Sequence, residues 1–208
     1  MNVLKKVFNN ARKPQGVIGR IMVAGMNGNS HAMLAKWALS SVTINDDSRV
    51  LDIGCGGGGN IARLLQLCPN GFVAGIDYSP VSVKKSIEVN AAAIARKRCD
   101  VKEGNVASLP YGDEEFDLVT AFETVYFWPT IEDSFRQVLR VLKPGGRFVI
   151  VNEADGEEKG IKWDKVVDGM HTYNSAELQE HLTNAGFADT DILHDQKKHR
   201  LCMTAYKK

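Results

Sequence analysis

The chain has 208 residues, a formal net charge of +1, 44% hydrophobic residues and 25% charged residues. These proportions supply a core and exclude wholesale disorder. A near-neutral balance gives no field that would gather nucleic acid or an anionic membrane, and the length suits one domain spanning 1–208.

The first segment, 1–45, is expected to hold a helix from about Ser30 to Ser41 and to form a helical lid. Residues 49–53, Arg-Val-Leu-Asp-Ile, read as a short buried strand that stops at glycines. Ile61, Leu64, Leu65 and Cys68 then recur at helical spacing over 59–68, and 72–76 reads as a second strand. Ser79-Pro80 opens a helix expected to run to about Lys97: the serine caps free N–H groups, and proline fits the first helical position. Residues 100–104 and 116–121 read as the third and fourth strands. Thr130 and Asp133 have capping-box spacing at the head of a helix reaching Leu142. Lys143-Pro144-Gly145-Gly146 reads as a turn, Arg147–Asn152 as the fifth strand, and Asn174 and Glu177 as the start of a helix ending near Gly186. Residues 187–194 and 199–206 read as the last two strands. Strands alternating with helices imply an α/β fold, a mostly parallel sheet covered on both faces. The linker 153–173 fits no strand and is expected to wall a pocket at the carboxyl edge of the sheet, where such folds bind ligands.

Cys55, Cys68, Cys99 and Cys202 contain no C-x-x-C pair, so neither a disulfide framework nor a metal site is expected. Free thiols point to a reducing compartment. The first twenty residues lack an apolar h-region, and no stretch approaches the length of a spanning helix. The protein is therefore expected to be cytoplasmic, a monomer or homodimer, with no membrane or nucleic-acid partner. The short basic runs at Lys84-Lys85, at Arg96-Lys97-Arg98 and around Lys197, Lys198 and Arg200 read as solvated surface.

The most informative stretch is Asp52-Ile53-Gly54-Cys55-Gly56-Gly57-Gly58-Gly59. Glycines after a strand permit a tight turn and close approach of a ligand to the backbone. Gly54, Gly56 and Gly59 also satisfy G-x-G-x-x-G, a weak signal alone, used by dinucleotide enzymes for pyrophosphate. Asp52 argues against phosphate there, because a carboxylate beside the loop suits a cationic ligand. Asp77 ends the second strand, where an acid can accept both hydroxyls of a ribose; the plain alternative is a turn residue.

Asp52–Gly58 resembles the first motif of class I S-adenosylmethionine-dependent methyltransferases, and Gly75-Ile76-Asp77-Tyr78-Ser79 resembles the second. Gly104–Tyr111 is similar to the segment that contacts adenine; Phe116–Val119 and Leu139–Gly146 resemble the later motifs. The match runs over roughly 45–152 and is nearest to the type 11 small-molecule enzymes. It implies a Rossmann-like seven-stranded sheet with the final strand antiparallel, and S-adenosylmethionine as cofactor with S-adenosylhomocysteine as product. The resemblance assigns the cofactor to Asp52, Gly54, Cys55, Gly56, Asp77, Tyr78, Ser79, Asn105, Val106, Ala121 and Phe122. The family usually has Asp where this chain has Asn105, whose amide oxygen can still accept from the adenine amino group.

In the resembled family the loop after the fourth strand lies beside the methyl group. Here it reads Thr120-Ala-Phe-Glu-Thr-Val-Tyr-Phe-Trp-Pro129. Glu123, Tyr126 and His171 are the candidate catalytic groups, and His31, Trp128, Trp163 and Tyr173 the candidate acceptor contacts; core packing is the alternative for the aromatics. The expected reaction is methyl transfer to a small-molecule acceptor by in-line displacement. The competing readings are a cofactor-binding or regulatory module without turnover and an NAD-linked oxidoreductase. The latter is disfavoured by Asp52. No N-P-P-Y or D-P-P-Y run of base methyltransferases is present.

Overall fold

The computed structural model describes residues 14–16, 19, 23, 25, 28–156 and 163–208. Among these residues seven strands form one sheet in the order β3-β2-β1-β4-β5-β7-β6. They are β1 (Arg49–Ile53), β2 (Phe72–Asp77), β3 (Cys99–Glu103), β4 (Phe116–Phe122), β5 (Leu142–Asn152), β6 (Thr190–Asp195) and β7 (Arg200–Tyr206). β1 through β5 pair in parallel, and β7 runs antiparallel to both β5 and β6. The strand order reverses between β1 and β4, which opens the crevice at their carboxyl ends.

Alternation along each strand sorts the core into two layers. Leu51, Ile76, Val119, Phe148 and Ile150 face one side, where α5 (Ile131–Val141) and α7 (Ser175–Ala185) pack. Val50, Val73, Leu118, Val149 and Val151 face the other, beneath α1 (Asn29–Leu39) and α2 (Gly59–Leu67). On the first side Phe135, Phe148 and Trp128 form an aromatic cluster with ring centroids 5.6 to 5.9 Å apart. Each such pair adds about 0.5–1.5 kcal/mol beyond area burial. The four cysteines are buried free thiols. No helix among the described residues is long and apolar enough to cross a membrane.

Three local expectations are corrected. The helix opened by Ser79 is not continuous: it breaks at Asn90 into α3 (Pro80–Val89) and α4 (Ala91–Ala95), the second ending close to the expected Lys97. The Asn90 side-chain amide donates to Gly58 O at 3.1 Å and Ser86 O at 2.9 Å, a contact from across the fold. Thr130 makes no capping hydrogen bond; its φ is +37°, and Ser134 Oγ donates to Pro129 O at 2.6 Å instead. Lys143–Gly146 belongs to β5, as a bulge between the pairs Phe116–Leu142 and Leu118–Arg147. Lys143 Nζ anchors it to Asp117 Oδ1 at 2.7 Å. A short α6 (Trp163–Val166) lies in the linker after β5. Ser79 does cap α3, accepting from Ser82 N at 3.4 Å, and Asn174 and Glu177 form a reciprocal capping box on α7.

Candidate functional site

A cavity of about 440 Å³ opens at the crevice. Its floor is the glycine loop between β1 and α2. Gly54 N and Cys55 N both donate to Ile76 O, at 2.8 and 3.1 Å, so the loop is stitched to β2. Gly54 has φ +73°, and a Cβ there would stand 2.7 Å from Thr124 Oγ1. Gly58 has φ +80°, and a Cβ there would stand 2.6 Å from Asn90 Nδ2 and Ser86 Oγ. Both positions need glycine for conformation and for space.

Asp77 lines the cavity at the end of β2. Its Oδ2 accepts from Gly56 N at 2.9 Å and its Oδ1 from Ser79 N at 2.8 Å. Each oxygen keeps a lone pair for a ligand hydroxyl. Burial raises its pKa from the ordinary aspartate value, against the pull of the Ser79 and Gly56 N–H groups and the Ser82 hydroxyl.

Asp52 lies beneath the loop rather than on the cavity wall. Thr120 Oγ1 donates to its Oδ1 at 2.8 Å, while Oδ2 is buried without a hydrogen-bond partner among the described residues. Burial pushes its pKa up to about 7; Thr120 opposes that shift and the nearby charge of Asp77 adds to it.

The far end of the cavity is made by the chain leaving β4. Glu123 has φ +58°, a strained turn for a non-glycine residue, and its N–H donates to Val151 O at 2.8 Å. Its carboxylate is held on one side only. Tyr126 OH donates to Oε1 at 3.1 Å, and the Glu153 amide donates to the same oxygen. Oε2 has no hydrogen bond from the described residues. Burial pushes the Glu123 pKa up to about 7; the Glu153 amide opposes this, the Glu153 charge adds to it, and Tyr126 and Arg200 oppose it.

Eleven of the residues singled out in the sequence line this cavity: Gly54, Cys55, Gly56, Asp77, Tyr78, Asn105, Val106, Phe122, Glu123, His31 and Trp128. Others do not. Ala121 is in the core, and Ser79 is buried behind Asp77. Tyr126 stands behind Glu123, where its oxygen also accepts from Ala154 N at 3.0 Å. His171 and Tyr173 pack on each other, ring centroids 4.4 Å apart, and Tyr173 joins the core. The Trp163 side chain lies outside the described residues. Trp128 does both of its alternative jobs: it stacks on Phe148 and lines the cavity, its Nε1 donating to Thr124 Oγ1 at 2.7 Å. The sequence reading missed Pro14, Asn60, Ser82, Thr124 and Phe127 as lining residues. Asn60 had a signal, the first turn of the helix after the glycines; Pro14 had none.

S-adenosylmethionine carries an ammonium, a sulfonium and no phosphate, and the wall fits that chemistry. No Lys or Arg is among the described lining residues, while two acids, Asp77 and Glu123, are. The unpaired Asp52 oxygen adds a third carboxylate under the loop. A pyrophosphate would meet repulsion there.

Comparison with known proteins agrees. The model of a methyltransferase domain family matches residues 44–204. The chain is 37% identical over 101 residues to 24-methylenesterol C-methyltransferase 2 of Oryza sativa subsp. japonica, covering 49% of this chain and 28% of that one. It is 32% identical over 117 residues to erythromycin 3''-O-methyltransferase of Saccharopolyspora erythraea, covering 56% and 38%. It is 26% identical to demethylmenaquinone methyltransferase of Desulfitobacterium hafniense, covering 76% and 62%. The chain thus spans less than two thirds of the length of these relatives. Among solved structures, it shares its fold with a methyltransferase from Aquifex aeolicus described as S-adenosylmethionine-dependent, at TM-score 0.73 and 20% identity, covering 90% and 96%. A putative methyltransferase in complex with the Haloferax volcanii Trm112 activator matches at TM-score 0.76 and 21% identity, covering 90% and 93%. With the glycine loop, the acid ending β2, the seven-stranded order and the domain match in agreement, the chain belongs to the class I S-adenosylmethionine-dependent methyltransferases.

Proposed function

We propose that this protein transfers a methyl group from S-adenosylmethionine to a small-molecule acceptor, and that Glu123 receives the proton the acceptor gives up. The observation that carries the reading is Glu123 itself. Its carboxylate shares one cavity with the glycine loop and Asp77, and its hydrogen bonds converge on Oε1. Oε2 is left to accept from a ligand.

S-adenosylmethionine, when bound, supplies a methyl carbon on a sulfonium already activated for displacement. Asp77 would hold the ribose hydroxyls, the Gly54–Gly56 backbone the amino-acid portion, and Asn105 and Val106 the adenine. Phe122, Phe127 and Trp128 line the same cavity as Glu123 and would exclude water from it. Aromatic rings next to a carboxylate suit a planar or cationic acceptor. A carboxyl group with a pKa near 7 takes a proton readily at neutral pH, which suits a general base. Glu123 Oε2 would take the proton of an acceptor held in line with the methyl group, the electron pair of the S–CH3 bond staying on the sulfur of the departing S-adenosylhomocysteine.

The relatives are named for sterols, a macrolide and a quinone precursor, which supports a small organic acceptor. The buried free thiols support a reducing, cytoplasmic setting. An acceptor screen that follows S-adenosylhomocysteine release tests the reading. Turnover with a small hydroxyl, amine or thiol compound supports it. Binding of the cofactor without turnover on any acceptor would favour a binding module, and binding of NAD in place of S-adenosylhomocysteine would overturn the cofactor assignment.

A further inference from the structure

Ser79 is expected from its motif to touch the cofactor, yet it is fully buried and does not line the cavity. Its hydroxyl donates to Pro14 O at 2.8 Å, across 65 positions of sequence, while its oxygen caps α3 through Ser82 N. Its own N–H donates to Asp77 Oδ1 at 2.8 Å. One residue thus links the acid that ends β2, the head of α3 and an N-terminal segment.

That segment reaches the cavity. Pro14 is buried and shares the cavity wall with Asp77, Tyr78 and Ser82. Gly19 lies close against it: Gly19 N donates to Gln15 O at 2.9 Å, and a Cβ at Gly19 would stand 2.7 Å from the Pro14 carbonyl carbon. A buried carbonyl needs a donor. For Pro14 that donor is Ser79.

We propose that Ser79 is a positioning residue that latches the Pro14 strap against the Asp77 side of the cofactor cavity and so governs how fast the cofactor leaves. The proposal rests on the cofactor reading above. The strap closes the wall next to Asp77, so a bound cofactor held by that acid leaves faster once the Ser79–Pro14 bond is broken.

The test is dissociation of S-adenosylhomocysteine, followed by stopped-flow fluorescence, with amide hydrogen exchange at Gly19 as a readout that needs no ligand. Ser79→Gly removes the donor but keeps a residue well tolerated as an N-cap. Ser79→Thr keeps both donor and cap. Loss of one buried hydrogen bond predicts about a tenfold faster dissociation in Ser79→Gly and a rate near wild type in Ser79→Thr. Gly19 exchange should quicken by a similar factor in the unliganded glycine variant. A folded Ser79→Gly protein with unchanged dissociation overturns the proposal. Failure of the wild type to bind S-adenosylhomocysteine sinks the cofactor reading instead; faster Gly19 exchange in Ser79→Gly would then still support the latch, and unchanged exchange would remove it.

Discussion

The glycine-loop half of the cavity is assembled from two short runs, Ile53–Asn60 and Ile76–Tyr78, on adjacent parallel strands. Its contacts are mostly backbone: Ile76 O takes two loop N–H groups, and Asp77 takes a third. The acceptor half is gathered from farther apart. Glu123 leans on Tyr126 and on the Glu153 amide, and Arg200 of β7 pairs with Glu153 at 2.8 Å. A backbone-built site tolerates side-chain drift and holds one ligand. A side-chain-built site can change its acceptor by changing a few residues, consistent with relatives named for sterols, a macrolide and a quinone precursor.

The comparison implies that the two halves fail separately. Glu123→Gln keeps the shape of the acceptor half and removes its base. Turnover should fall by about 10²–10⁴-fold, the usual worth of general-base catalysis, while S-adenosylhomocysteine affinity stays within about twofold. In the wild type the rate should climb with pH through about 7 and level off above it, because Glu123 works deprotonated. Equal loss of turnover and of cofactor affinity would dissolve the division between the halves.

Asp77→Ala attacks the other half. Two charge-assisted hydrogen bonds to a ribose predict a loss of roughly 2–4 kcal/mol in cofactor binding, read by calorimetry. Asp77 also pins Gly56 and Ser79, so the variant should melt several degrees lower, at about 2–4 °C per kcal/mol for a chain of this size. Unchanged affinity in a folded variant would remove Asp77 from the site.

Tyr126→Phe sharpens the picture of the acceptor half. It deletes a donor to Glu123 Oε1 and leaves Ala154 N without its acceptor. The lost hydrogen bond stabilised the charged form, so the midpoint of the pH–rate profile should move upward. At neutral pH turnover should fall about fivefold to thirtyfold, the worth of about 1–2 kcal/mol. A midpoint that stays in place would mean that Tyr126 only packs.

The asymmetry also decides what the sequence could reveal. The succession of strands and helices, the glycine loop after β1 and the Ser79 cap rest on short-range pattern, and those expectations agree with the fold. The errors sit where a distant partner intervenes. Asn90 ends α3 because Gly58 lies within reach, 32 positions away. Ser79 turns to Pro14, and Tyr126 serves Glu123 from behind because Ala154 fixes its hydroxyl. Glu123 was legible as a cavity residue because the resembled family puts the loop after the fourth strand beside the methyl group, and that loop does leave β4 at the crevice.

The smallest effect concerns Asp52, which belongs to the glycine-loop half but lies under its floor. Its pKa is pushed up to about 7 in the folded chain, while an unfolded aspartate titrates near 4. The folded state therefore holds this proton more tightly than the unfolded state. The stability it contributes is full below about pH 4 and is lost as pH rises through about 7; Glu123 adds a slope of the same sign. The unliganded protein should melt a few degrees lower at pH 8 than at pH 5.5, at about 2–4 °C per kcal/mol. Asp52→Asn cannot ionise, so it should flatten that slope, leaving only the part due to Glu123. Bound S-adenosylmethionine brings positive charge above the loop and favours ionised Asp52, so the ligand should stabilise the wild type more at pH 8 than at pH 5.5. Melting curves at the two pH values, with and without ligand, measure both effects. A wild-type slope that Asp52→Asn leaves intact would show that the carboxylate under the loop is already charged in the empty protein.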